Sequence, residues 1–107
     1  MYNVTNVIRV KKGFVDALVE RFENVNSVLK FDGFLGMEVM VTIQNVDFEE
    51  VSIFTRWDKK ENFMNWMKSD DFKRRHSGAN ARPDFILNNK VIKYDVRISK
   101  VPEVITS

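Results

Sequence analysis

Along residues 2–10 apolar and polar positions alternate, with Tyr2, Val4, Asn6, Ile8 and Val10 in one row and Asn3, Thr5, Val7 and Arg9 in the other. That is the period of a strand, and it leaves one amide inside an otherwise apolar row. After a turn at Lys11-Lys12-Gly13, Phe14, Val15, Leu18, Val19, Phe22 and Val25 recur at helical spacing, which predicts an amphipathic helix ending before Phe31-Asp32-Gly33. Alternation resumes over 34–43, where Leu35, Met37, Val39, Val41 and Ile43 oppose Phe34, Gly36, Glu38, Met40 and Thr42. The turn Asn45-Val46-Asp47-Phe48-Glu49 leads into a third strand over 50–57 with Val51, Ile53, Thr55 and Trp57 in one row, so the two strands form an antiparallel hairpin. Asp58 with Glu61 resembles a capping box that opens a helix bearing Phe63, Trp66 and Met67. Ser69-Asp70 is a second cap, for a stretch that sets Phe72 and His76 one turn apart. Residues 77–89 hold no period and include Gly78 and Pro83, which predicts a long loop. Ile92, Tyr94, Val96 and Ile98 alternate with Val91, Lys93, Asp95 and Arg97 in a last strand.

The order β-α-β-β-α-β is that of the α+β ferredoxin-like unit, in which both helices cover one sheet face. The other, apolar face must find cover, and this predicts a homodimer. Composition agrees with one folded domain over 1–107: of 107 residues, 44% are hydrophobic, 30% charged and nine are Phe. Such a length leaves no room for a separate cofactor or reductase domain. Zero cysteines exclude disulfides, thiolate nucleophiles, iron–sulfur clusters and Cys-type zinc sites. A net charge of +2 without a basic stripe gives no reason to expect nucleic acid. No apolar run approaches the ~18 residues of a membrane span, and the N-terminus lacks the apolar core of a signal peptide, so a soluble cytoplasmic protein is expected.

Three residues stand out for chemistry. His76 is the only histidine, and on spacing alone it reads first as a packing or surface residue that complements a helix end. It also shares a face with Phe72, opens the long loop and follows Lys73-Arg74-Arg75. One imidazole for iron, apolar walls for a porphyrin and cations for its propionates are what a haem pocket needs. The ligand cluster of a zinc site is missing. Asn6 reads as an amide satisfied by neighbouring backbone, or as a polar group directed at a ligand. Trp66, beside Phe63, has the spacing of a core residue. No Ser-His-Asp set or Gly-rich phosphate loop supports a hydrolase or kinase.

Taken together, Asn6, Asp32-Gly33-Phe34 with Gly36-Met37, Asp47-Phe48-Glu49-Glu50-Val51, the run Phe63-x-x-Trp66-x-x-Ser69-x-x-Phe72-x-x-x-His76, and Asn88-Asn89-Lys90-Val91-Ile92-x-Tyr94-Asp95 resemble the IsdG-type haem-degrading monooxygenases. The likeness spans nearly the whole chain. It implies a dimeric α+β barrel in which haem is substrate and cofactor at once. Asn6, Trp66 and His76 fall on that family's catalytic positions, and the segment Arg21 to Val28, with Phe22 and Val25, falls on the stretch bordering the haem. The resemblance implies that His76 is the axial iron ligand, that Asn6 donates a hydrogen bond on the distal, oxygen-binding side, and that Trp66 presses on the porphyrin and ruffles it. O2 and electrons from an external reductase would then open the ring to a bilin-type product and free the iron, a role in iron acquisition. The competing readings are a cofactor-free α+β-barrel monooxygenase acting on an aromatic substrate and a non-catalytic haem-binding dimer.

Overall fold

The structure, a computed structural model, describes residues 1–44, 48–75 and 82–103. Four strands, β1 (Tyr2–Val10), β2 (Phe34–Val41), β3 (Glu49–Trp57) and β4 (Ile86–Asp95), form one antiparallel sheet in the order β2-β3-β1-β4. Helices α1 (Val15–Glu23), α2 (Lys60–Met67) and α3 (Asp70–Arg75) complete the ferredoxin-like α+β fold. The expected β-α-β-β-α-β order is therefore present, with its second helix divided in two. None of the helices among the described residues is long and apolar enough to cross a membrane.

The apolar rows meet the helices as their periods require. Val4, Ile8 and Val10 of β1 and Val51, Ile53 and Trp57 of β3 are buried against Leu18 of α1 and Phe63 and Trp66 of α2. Trp57 is wholly enclosed; its Nε1 donates to Thr55 Oγ1 at 3.1 Å, and that hydroxyl donates to the Val4 carbonyl at 3.3 Å. A buried indole N–H must find such an acceptor. Burial falls into two clusters, one around Trp57 and Trp66 and the other around Leu18, Val10 and Val51, with Phe22 packed against both. On the helix-covered row of β1 the residue between Val4 of the first cluster and Ile8 of the second is Asn6.

Four local expectations are corrected by tertiary pairing. The first helix stops at Glu23, and a 3-10 turn over Ser27–Lys30 carries Val28 into the core. A bulge at Leu35 in the β2–β3 register returns Phe34 to the helix-covered face, where its ring meets Trp57 at 5.4 Å. Alternation alone places Phe34 opposite Met37, and only the extra residue puts them together. No capping box forms at α2: its N-cap is Lys59 without a side-chain bond, and the Asp58 carboxylate instead accepts from Asn62 Nδ2 at 2.8 Å. The Asp58 N–H donates to the Gly33 carbonyl at 2.9 Å, and Gly33, at φ +79°, lies so close to the Asp58 and Asn62 side chains that a Cβ there has no room. Finally, β4 begins at Ile86 and ends at Asp95, earlier than the alternation of Ile92 to Ile98 suggests.

The Ser69 cap does form. Its Oγ accepts from the Phe72 N–H at 3.2 Å, and the Lys73 N–H donates to the Ser69 carbonyl at 3.1 Å. The Ser69 hydroxyl also donates to the Trp66 carbonyl at 2.6 Å, so one side chain ends α2 and starts α3.

Candidate functional site

Where the two core clusters part, a cleft of about 760 Å³ opens between the helices and the sheet. This is within the ~300–1,000 Å³ of sites that take compact organic ligands. Its floor is Asn6 of β1 flanked by Thr55 of β3 and by Asn89, Val91 and Lys93 of β4. Arg21 and Phe22 of α1, with Val25 and Val28, form one wall; Phe63, Trp66 and Met67 of α2 and Phe72 of α3 form another; Arg82 and Pro83 are also part of the lining. The opening has a packing cause. Helix α1 rests on β2 and β3, and α2 on β3, so β4 keeps exposed residues on its helix side, including Val91 at 50% exposure. An apolar residue left open on the covered face of a sheet marks a cavity rather than a core.

Of the residues singled out from the sequence, Asn6, Arg21, Phe22, Val25, Val28 and Trp66 all line this one cleft. His76 lies outside the described residues, so its helix face with Phe72 is not described either; α3 ends one residue before it, and Phe72 on that helix lines the cleft. Trp66, at 8% exposure, joins the buried cluster and the cleft wall together, edge-on to Phe31 and Phe72 at centroid distances of 5.4 and 5.9 Å. Asn6 is half-buried, and its Oδ1 accepts from the side chain of Asn89 at 3.1 Å rather than from neighbouring backbone.

The cations at the cleft also differ from those the sequence suggested. Arg21, Arg82 and Lys93 line it, and none of the three takes part in an ion pair among the described residues. In the basic run, Arg74 pairs with Asp71 on α3. Asn89, Arg82 and Lys93 carried no role in the sequence reading. Only the Asn-Asn-Lys run drew attention to Asn89, and its use depends on a strand partner 83 residues away. Among the described residues no group of three His, Asp or Glu side chains is placed to hold a metal ion.

A four-stranded antiparallel sheet with its helices on one face and an apolar cleft between them defines a ligand-binding scaffold of the ferredoxin-like α+β class. The chain belongs to the antibiotic biosynthesis monooxygenase family, whose profile matches residues 1–77. It is 46% identical over 102 residues, 95% of each chain, to the heme-degrading monooxygenase of Bacillus mycoides (strain KBAB4), and 45% identical over the same span to that of Bacillus thuringiensis (strain Al Hakam). Among solved structures, MhuD from Mycobacterium tuberculosis, a heme-degrader with two hemes bound in its active site, superposes with a TM-score of 0.73 at 24% identity, covering 92% of this chain and 98% of that one. That likeness concerns the fold alone.

Proposed function

We propose that this chain is a haem-degrading monooxygenase that seats haem in the cleft and opens the porphyrin with O2 and electrons from a separate reductase. The observation that carries the reading is the lining itself: an apolar slot with the carboxamides of Asn6 and Asn89 in its floor, the indole of Trp66 in its wall, and cations around it that form no ion pair among the described residues. Apolar walls cover the macrocycle, and Arg21, Arg82 and Lys93 meet the propionates, where a fixed positive charge is worth most beside a desolvated carboxylate. His76, the only histidine of the chain, would hold the haem iron through an imidazole nitrogen, and the iron would supply the oxygen chemistry. Asn6 donates a hydrogen bond on the distal, oxygen-binding side. Trp66 presses on the ring, and distortion of the macrocycle is one of the means by which a protein directs haem chemistry. The products are free iron and a bilin-type tetrapyrrole; what the names of the relatives above support is the degradation of haem.

Haemin titrated into the purified protein should give a stoichiometric complex with a Soret band, and ascorbate in air should abolish that band while releasing iron to a chelator. Absence of a complex would leave the cofactor-free monooxygenase; a complex whose band survives reductant and air would leave a haem-binding protein without turnover.

The same reading includes a homodimer through the open sheet face. Phe54 of β3 and Ile92 and Tyr94 of β4 lie on that face with Thr5 between them on β1, opposite the helix-covered row. Burying such a face against a second copy removes apolar area from water and satisfies the symmetry of a two-fold contact. Sedimentation at micromolar concentration should give a mass near twice that of the chain; a monomer would refute the dimer.

A further inference from the structure

Resting on the haem reading above, we propose that Phe85 and Phe14 are positioning residues: their stacked rings fasten the segment 82–85 to the start of α1 and so hold the Arg82 guanidinium where it meets a carboxylate of the bound substrate. Arg82 and Pro83 line the cleft but precede β4, which begins at Ile86. No pair of the β1–β4 ladder includes Arg82, and it is in no ion pair among the described residues. A long side chain on loose backbone loses its freedom at the moment of binding, whereas one on backbone already fixed loses less. The segment that follows Arg82 is fixed at three points. The Ile86 N–H donates to the Pro83 carbonyl at 3.2 Å and closes a turn, the Lys11 N–H donates to the Phe85 carbonyl at 3.0 Å, and the Phe85 ring stacks on Phe14 at a centroid distance of 5.1 Å and an interplanar angle of 13°. Pro83 locks its own φ and confines Arg82 to extended backbone. The Arg82 Cα is thereby kept within about 11 Å of the Phe85 anchor, the most that so short a stretch of chain can span.

Phe14 is set from the other side. The Leu18 N–H donates to the Phe14 carbonyl at 3.2 Å as α1 begins, and Gly13, at φ +89°, donates its N–H to Glu49 Oε1 at 3.1 Å. Phe14 is 42% exposed, so its ring contributes little to the core, and its ring partner is Phe85, which also packs against the Leu18 cluster. Arg21 and Phe22 of the cleft wall lie two turns further along the same helix. The stack therefore joins the Arg82 segment to the α1 wall.

A role in positioning is told from a role in packing by whether the stack acts on substrate charge through Arg82. Haemin carries two propionates, and its dimethyl ester keeps the macrocycle without either carboxylate. The ratio of their dissociation constants, from Soret titration of the ferric complexes in one solvent mixture, measures discrimination for the carboxylates without turnover. Arg82→Gln should lower that ratio by roughly three- to tenfold, since a charge-assisted contact at a partly solvated rim is worth less than a buried one. Arg21 and Lys93 should retain the rest. Phe85→Leu, which removes the ring and keeps an apolar side chain, should lower the ratio as far as Arg82→Gln does, and so should Phe14→Leu. Phe85→Tyr, which keeps a ring to stack, should hold the wild-type ratio. In an Arg82→Gln background neither leucine substitution should lower the ratio further. Because Phe14 is exposed, Phe14→Leu decides the matter even where Phe85→Leu fails to fold. Leucine variants that weaken haemin and ester equally, or that lower the ratio by the same factor with and without Arg82, would overturn the positioning role while the haem reading stands. An Arg82→Gln ratio equal to wild type would overturn it too. A wild-type protein that binds no haemin would overturn that reading first, and the inference with it.

Discussion

Replacing His76 with alanine is expected to abolish five-coordinate ferric haem and, with it, ring opening. The chain offers no substitute: His76 is its only histidine and it has no cysteine. Removing an outer-shell partner of a metal ligand already costs about 10- to 100-fold in affinity or activity. Loss of the ligand itself should exceed that range. Haem can still enter the apolar cleft of the variant, held by its walls and by the cations at the propionates, so the expected signature is a changed spectrum rather than the absence of binding. Imidazole added to the variant should restore part of the five-coordinate spectrum. A variant with an unchanged ferric spectrum would remove His76 from the iron.

The second large effect is expected at Trp66, whose position separates two roles. Its ring is packed edge-on between Phe31 and Phe72 and joins the buried cluster around Trp57. Trp66→Phe should therefore destabilise the apo protein by about 1–3 kcal/mol through lost volume. The same indole forms part of the cleft wall. If it bends the bound porphyrin, the smaller ring relaxes the substrate while His76 and the remaining walls keep haem affinity near wild type. Substrate strain of this kind is worth about 1–5 kcal/mol, and every 1.4 kcal/mol lost is about tenfold in rate. Soret loss at matched haem occupancy should then slow by about tenfold or more. A denaturant melt beside that assay keeps the two roles apart: a destabilised variant that degrades its haem at the wild-type rate would leave Trp66 as core alone.

Much of this arrangement was legible along the chain because its causes are local. Side-chain period follows from backbone geometry, so the alternation over 2–10 and over 50–57 identifies strands and their buried rows before any partner is known. The Ser69 cap is equally local, since hydroxyl, turn and first helical residues are contiguous. Asn6 was conspicuous for the same reason, as the one amide in an apolar row. The resemblance carried in its motifs agrees with the family to which the chain belongs.

What the linear pattern did not reveal depends on pairing. Asn88 and Asn89 are poor strand formers and read as loop, yet β1 pairs with both, and ladder hydrogen bonds outweigh intrinsic preference. The bulge at Leu35 turns Phe34 toward Trp57 because β3 fixes the register there, and a single extra residue reverses every side chain beyond it. Asp58 and Glu61 have capping-box spacing, but the Asp58 carboxylate is engaged by Asn62 and its N–H by the Gly33 carbonyl. By itself, then, the sequence determined the order of elements, the rows that bury and the residues able to do chemistry. Only the tertiary structure decided where the helices leave β4 uncovered to form a cleft, which cations line it, and that Asn89 meets Asn6. Period is a property of one segment, whereas a cavity or a hydrogen bond across 83 residues exists only after separate segments have been packed together.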